Sequence, residues 1–163
     1  MQIDEKVLEY MEAQTAKLSA FRLESMELLN KRANVLITLQ LASGGGLAAF
    51  AVNLIEKDLA PEVVVRGVIY AAIGMFMLAL ASVVSLMLTR KILPPGNEPN
   101  NLFMDAKAKP DLLALRASEL RFLQERQDGW RLRNEDVGRR LNFLYFYTAI
   151  LPFLASGLAS LGR

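Results

Sequence analysis

The sequence contains no cysteine and no histidine among its 163 residues. These absences exclude a thiol nucleophile, a disulfide framework, thiolate or imidazole metal ligands and every catalytic triad based on histidine. A nucleotide-binding glycine loop is also missing, because the run Gly44-Gly45-Gly46 lies inside an apolar stretch where a phosphate would be costly to bury. We therefore expect no enzyme activity, no catalytic residues, no metal site and no cofactor.

Charged side chains make up 22% of the chain but are absent from three long stretches, residues 35–55, 67–89 and 141–161. At about 1.5 Å per residue, a helix over the shortest of these covers roughly 31 Å, close to the hydrocarbon thickness of a bilayer. The predicted fold is an all-α integral membrane helical bundle, with three transmembrane helices plus long cytoplasmic amphipathic helices. An alternative for residues 141–161 is an apolar docking helix.

Four polar segments flank these predicted spans. They are a cytoplasmic amphipathic helix over residues 1–34, an external turn over 56–66, a proline-rich cytoplasmic loop over 90–109 and a cytoplasmic charged helix over 110–140. No helix stop separates residues 110–140 from the third span, so we expect one unbroken helix there. Pro152 lies midway along that span and is predicted to act as a hinge, because it frees the carbonyl of Thr148.

Two heptad-like tracks of apolar residues mark the cytoplasmic helices. The first comprises Val7, Met11, Leu18, Phe21 and Leu28, interrupted by Gln14 and Ser25. It indicates either a helix packed on neighbours or headgroups, or a coiled-coil seam between subunits. The second comprises Leu113, Leu120, Leu123, Trp130, Val137 and Leu141, with Arg116, Gln127 and Asn134 as polar exceptions.

Lysine and arginine are distributed unevenly between the two predicted sides of the membrane. Residues 1–34 hold five and residues 90–140 hold eleven, whereas residues 56–66 hold two and the C-terminal tail holds one. Since basic residues are enriched in cytoplasmic loops, the N-terminus is predicted to be cytoplasmic and the C-terminus external. Three crossings likewise require the two termini to lie on opposite sides of the membrane.

Small and polar residues within the spans predict how the helices meet. The candidate packing residues are Ala42, Gly45, Gly46 and Ala49 in the first span and Gly67, Ala71 and Gly74 in the second. Gln40, Ser43 and Asn53 are costly in lipid and should face protein or water, although they do not form one clean stripe. This pattern argues against a permanently open channel and permits a closed bundle that opens on demand.

The arginines of the charged helix wind around it and form no single basic face, because steps of five residues rotate the side chain by about 140°. The net charge of residues 90–140 is only +3, so no nucleic acid is expected as a partner. The candidate contacts with a signal molecule or with lipid headgroups are Arg116, Arg121, Arg126, Arg131, Arg139 and Arg140.

The order of parts resembles a known class of protein. It includes a cytoplasmic helix ending in Asn30-Lys31-Arg32-Ala33-Asn34, a membrane hairpin, a proline-rich exit, a charged helix and a last span closing with Ala155-Ser156-Gly157-Leu158. This arrangement resembles the small transmembrane effector domains of bacterial anti-phage systems of the Pycsar type. The resemblance implies a homo-oligomer that permeabilises the bacterial inner membrane when a cytoplasmic nucleotide or protein triggers it, although no appended nucleotide-binding domain is recognisable.

Two other functions are compatible with the same residues. A holin-like phage membrane protein is also small and makes membrane lesions, but long charged cytoplasmic helices would be unusual in it. A membrane scaffold that forms no pore could use Trp130 and the two tracks to hold a cytoplasmic partner.

Overall fold

The structure is a computed structural model that describes residues 5–87 and 112–161. Helix accounts for 96% of these residues, and no strand occurs among them. The helices are α1 (Glu5–Glu56), α2 (Glu62–Ser82), which continues as a π-helical turn over Val83–Met87, and α3 (Leu112–Leu161). The all-α prediction is confirmed, whereas the predicted loop over residues 90–109 lies outside the described residues.

All three helices are long and apolar enough to cross a membrane. Their outward surfaces carry large apolar side chains, including Phe50 at 51% exposure, Phe153 at 77% and Leu161 at 81%. Such a continuous apolar exterior suits a lipid environment, because soluble proteins seldom expose large apolar patches. The three candidate spans therefore indicate a membrane location.

The helix boundaries differ from the predicted segments in two places. Residues 1–34 and 35–55 were predicted as separate segments, but α1 is one helix of 52 residues. The turn between α1 and α2 is shorter than the predicted residues 56–66, because α2 already begins at Glu62, directly after Pro61. Proline fixes its own φ and suits a helix start. Arg66, predicted within the turn, is paired with Glu62 at 3.2 Å inside the helix.

The chain forms two compact units. Among the described residues, the first unit contains residues 5–27 of α1 and residues 112–135 of α3. Polar contacts join the two segments at Glu12 and Arg116, at Ser19 and Gln127, and at Arg22 and Asn134. Because the residue numbers rise together along both segments, the two segments run parallel.

The predicted apolar track on α1 is displaced by one residue from the contact face. Val7, Met11, Leu18, Phe21 and Leu28 are between 42% and 64% exposed, whereas Leu8 is only 2% exposed. The residues that contact α3 in the first unit are largely polar, Glu12 and Ser19 among them. The apolar pattern does not identify this face, because its polar side chains form hydrogen bonds with the other segment.

The second unit contains the apolar parts of all three helices, with residues 28–87 and 136–161 described. Ala33, Leu36, Leu141 and Leu144 form its buried core between α1 and α3. Helix α2 runs antiparallel to both: Gly44 lies against Met75 and Phe76, and Gly67 lies against Ala159.

The predicted track on α3 is confirmed, because Leu120 and Leu141 are buried and the other members are half-buried.

Candidate functional site: a polar clamp across three helices

Three polar side chains, one from each helix, meet inside the second unit. The Gln40 side-chain amide donates from Nε2 to Thr148 Oγ1 at 2.8 Å, and Ser82 Oγ donates to Gln40 Oε1 at 2.9 Å. Gln40 and Ser82 are fully buried and Thr148 is 8% exposed. We call these three residues the polar clamp, because together they connect α1, α2 and α3.

Each clamp hydroxyl also has a partner on its own helix. Ser82 Oγ lies 2.8 Å from the carbonyl oxygen of Leu78, and Thr148 Oγ1 donates to that of Leu144 at 2.7 Å. Thr148 can thus donate to its own helix while it accepts from Gln40, and Ser82 can direct its single hydrogen to either acceptor. The two hydroxyls therefore keep a partner when the interhelical bonds break.

The interhelical hydrogen bonds of the clamp contribute only a small free energy of stabilisation. A hydrogen bond between membrane helices contributes about 0.6 kcal/mol on average and about 1.7 kcal/mol at most. Two such bonds hold the three helices together with only about 1 to 3 kcal/mol. A free energy of this size is within reach of an ordinary ligand or protein contact that favours another arrangement.

Pro152 lies one helical turn beyond Thr148, inside α3. Proline has no backbone N–H, so it cannot donate to the Thr148 carbonyl and the helix lacks one bond at this point. Helix α3 nevertheless continues to Leu161. A cavity of about 270 Å³, lined by Pro152, Ser156 and residues of α1 and α2, adjoins this turn. The turn of α3 that lacks this bond therefore adjoins both the clamp and a partly open pocket.

The predicted packing residues of α2 contact α3. A Cβ added at Gly67 would lie 3.5 Å from the Cβ of Ala159, one added at Gly74 would lie 2.8 Å from Leu151, and Ala71 is 4% exposed. Only a glycine-sized residue allows α3 this approach at Gly74 unless Leu151 moves. These contacts place this face of α2 against α3.

The predicted packing residues of α1 do not pack against any other helix that the structure describes. Ala42, Gly45, Gly46 and Ala49 are all exposed, and no atom comes within 4 Å of a Cβ added at Gly45 or Gly46. Their neighbour Gly44 makes the close approach instead, with Met75 and Phe76 at 3.3 Å. As an intramolecular contact, the prediction was wrong, because the contact lies on the neighbouring face of α1 at Gly44. As a contact between copies of the chain, it stays a prediction.

The three predicted intramembrane polar residues have different environments. Gln40 is the centre of the clamp, Ser43 is half-buried, and Asn53 is exposed near the end of α1. These residues were expected to face protein or water, and Gln40 is the one of the three that is fully enclosed by protein. Asn53 is three residues from the helix end at Glu56, which places it near the predicted interface with water.

Most of the predicted contact arginines lie in the first unit. Arg116 forms an ion pair with Glu12 and lies 3.7 Å from Glu5, and its hydrogen bond holds the pKa of Glu12 below the ordinary value. Arg131 lies 3.9 Å from Glu135 on the next turn. Arg121 is exposed, and Arg126 is half-buried. These positions do not converge on a single pocket, and the ion pair with Glu12 explains Arg116 without any signal molecule.

Arg139 and Arg140 belong to the second unit and line a pocket with Ala81, Ser85, Phe143 and Leu144. We call this the basic pocket. Its volume is about 390 Å³ and its lining between the two arginines and Ser85 is apolar. It lies where the charged part of α3 gives way to the uncharged stretch that begins at Leu141.

Two members of the polar clamp were not predicted as polar contacts. Ser82 lies in the second predicted span without a predicted polar contact, and Thr148 was considered only for its carbonyl. A single hydroxyl in an apolar helix carries little signal, because it can bond to its own backbone. The convergence of the three residues depends on how the helices are rotated against each other.

No cluster of side chains suited to holding a metal ion occurs among residues 5–87 and 112–161. No known protein-family model, curated protein or solved structure matches the chain.

Proposed function

We propose that the protein is an oligomeric membrane effector that makes the membrane permeable when a cytoplasmic signal repacks its helices. The observation that carries this proposal is the polar clamp. Gln40, Ser82 and Thr148 turn their polar groups toward one another, so these groups are not available to ions or water in this arrangement. Breaking the two interhelical bonds would release polar groups that could face water in a rearranged bundle.

The turn at Pro152 supports this proposal, since it supplies a position at which α3 can bend. The missing backbone bond at Thr148 lowers the cost of bending, and the adjoining cavity leaves room for the movement. Thr148 is also the clamp member on this helix. Release of the clamp and bending at Pro152 would therefore act on the same turn.

Oligomerisation is supported by the exposed small residues of α1. In a membrane, small residues let two helix backbones approach closely, and this packing drives helix association. Gly45 and Gly46 contact no other helix in the described part of the chain, although α1 has glycine there at a cost in helix propensity. A second copy is the partner that would make use of this face.

We assign the protein to the bacterial inner membrane, with the N-terminus cytoplasmic and the C-terminus external. The antiparallel course of α2 between α1 and α3 supports an odd number of crossings, and the basic residues are concentrated toward the predicted cytoplasmic side. A nucleotide or a protein would be the trigger, and anti-phage defence would be the biological role.

Dye release from vesicles tests the proposal. Purified protein is inserted into liposomes that contain a self-quenched dye, and wild type is compared with Gln40→Leu and with the control Asn53→Leu, which removes an exposed amide from the same helix. Loss of about 1.4 kcal/mol from the closed state raises the open population about tenfold. We therefore expect faster leakage from Gln40→Leu and unchanged leakage from the control.

The exposed apolar track of α1 favours a second candidate function, a membrane scaffold that binds a cytoplasmic protein. Val7, Met11, Leu18 and Phe21 lie outside the helix contacts of the first unit and could form a coiled-coil seam with a partner. If the protein is a scaffold, dye leakage should be equal and minimal for wild type, Gln40→Leu and Asn53→Leu. That result would contradict the effector proposal and support the scaffold.

A further inference from the structure

The basic pocket combines two cations with an apolar wall. Arg139 is exposed and forms no ion pair with any residue that the structure describes, whereas Arg140 is bound to Asp136 at 2.8 Å. Phe143 and Leu144 follow on α3, and Ala81 belongs to α2. A cation beside apolar side chains, at the end of a membrane-spanning stretch, matches the headgroup and upper acyl chain of a phospholipid.

Ser85 adds an unused hydrogen-bond donor to this pocket. Its hydroxyl is buried and has no partner in the described part of the chain, whereas Ser82, Thr148 and Ser156 each contact the carbonyl oxygen four residues earlier. Ser85 lies in the π-helical turn Val83–Met87, where the backbone bonding differs from that of an α-helix. A buried hydroxyl without a partner is costly, so a ligand acceptor would stabilise it. The oxygen is covered in this arrangement, and a ligand reaches it only after the side chains over it move aside.

We propose that the basic pocket binds the phosphate of an anionic phospholipid. The side chain of Arg139 supplies the uncompensated positive charge, and the acyl chain lies along Phe143 and Leu144. Ser85 donates a hydrogen bond to a phosphate oxygen once the side chains that cover its hydroxyl move aside. The net positive charge of the pocket selects an anionic lipid over a zwitterionic one, because Asp136 neutralises only one of the two arginines. This inference rests on the membrane insertion contained in the proposed function, but not on pore formation.

The pocket adjoins the clamp along both helices. Ser85 is three residues from Ser82, and Leu144 both lines the pocket and accepts the hydrogen bond of Thr148 through its carbonyl. A lipid bound here would contact the turns of α2 and α3 that carry the clamp. The site is therefore placed to favour one arrangement of the three helices over another.

Lipid retention in nanodiscs tests the site. The full chain is incorporated into nanodiscs of phosphatidylcholine and phosphatidylglycerol in equal amounts, and the lipid that remains bound after transfer to detergent is counted by native mass spectrometry. One basic residue near a charged membrane surface changes binding about fivefold. We expect Arg139→Gln to reduce bound phosphatidylglycerol by about this factor, Ser85→Ala to reduce it as well, and Arg139→Lys to retain most of it.

Arg121→Gln is the matched control, because Arg121 is an exposed arginine of α3 outside the pocket. Equal losses in Arg121→Gln and Arg139→Gln would show that only overall charge matters and would overturn the site. Equal retention of phosphatidylcholine would show an apolar contact without phosphate recognition, which also overturns it. Displacement of phosphatidylglycerol by inorganic phosphate would assign the pocket to a soluble phosphate compound instead of a lipid.

Flotation with phosphatidylcholine vesicles separates this result from the proposed function. Failure of the wild-type chain to float would contradict membrane insertion and, with it, both proposals. Flotation with no preference for phosphatidylglycerol would overturn the lipid site alone. A leakage-competent protein without that preference would leave the effector proposal intact.

Discussion

Arg116 of α3 and Glu12 of α1 form a two-point ion pair, with Nε to Oε1 at 2.8 Å and Nη2 to Oε2 at 2.7 Å. The fork of the guanidinium matches the two carboxylate oxygens, so the pair fixes the register of two parallel helix segments as well as contributing attraction. Gln127 extends the same contact face by donating to the carbonyl oxygen of Thr15 and to the hydroxyl of Ser19. Side-chain bonds therefore set the register of this helix pair.

The ion pair predicts how the first unit responds to acid. Its hydrogen bond to Arg116 lowers the pKa of Glu12 below 4.5 in the folded state, so the pair stabilises fully above that pH. The stabilisation is lost as the pH falls through the lowered pKa. Trp130, the only tryptophan, lies in the first unit and reports its unfolding by fluorescence. We expect Glu12→Gln to remove this part of the acid dependence, and Glu24→Gln to retain it.

The displaced track predicts opposite effects for two neighbouring residues. Leu8 is 2% exposed and Val7 is 51% exposed. Truncation of a buried leucine to alanine costs about 2 to 5 kcal/mol, whereas an exposed substitution usually changes stability by less than about 0.5 kcal/mol. Hydrogen exchange of the first turns of α1 should therefore accelerate strongly in Leu8→Ala and little in Val7→Ala. Faster exchange in Val7→Ala would instead support the face that the sequence predicted.

The clamp predicts an order of stabilities that depends on which partner is removed. Gln40→Leu breaks both interhelical bonds but leaves Ser82 and Thr148 bonded to their own backbones, so it should cost about 1 to 3 kcal/mol. Thr148→Val leaves the buried Gln40 amide without its acceptor, which adds a desolvation cost of about 1 to 3 kcal/mol. Unfolding in mixed micelles should rank Thr148→Val below Gln40→Leu in stability. In the double variant, most of the added cost should disappear, and a simple sum of the two costs would contradict the clamp.

The two glycine faces of α1 predict separate defects. A leucine at Gly44 would collide with Met75 and Phe76 and should lower the stability of the single chain, since overpacking costs about 1 to 3 kcal/mol. A Cβ at Gly46 meets no atom of residues 5–87 and 112–161 within 4 Å, so Gly46→Leu should leave that stability nearly unchanged. Analytical ultracentrifugation in detergent should show a smaller assembly for Gly46→Leu than for wild type. An unchanged assembly would exclude this face from contacts between copies.

The track predicted on α3 coincides with its contact face, whereas the track predicted on α1 does not. The reason is that apolar side chains form much of the contact face of α3, and polar side chains form much of that of α1. On α3 the contact face is rich in leucine, so the apolar pattern identified it together with its polar exceptions at Arg116, Gln127 and Asn134. On α1 the contact face of the first unit contains Glu12, Thr15 and Ser19, which resemble solvated residues when read alone. Their burial is favourable only because α3 supplies matching donors.

The amino-acid sequence by itself determined the helical class and the three apolar stretches long enough to cross a membrane, because helix rise and charge are local properties of consecutive residues. Only the tertiary structure decided which face of each helix turns inward. Gln40 lies 42 residues from Ser82 and 108 from Thr148 in the chain, and nothing local couples them. Their bonds depend on the rotation of three packed helices, and a rotation of one residue, about 100°, would replace the clamp with an apolar contact.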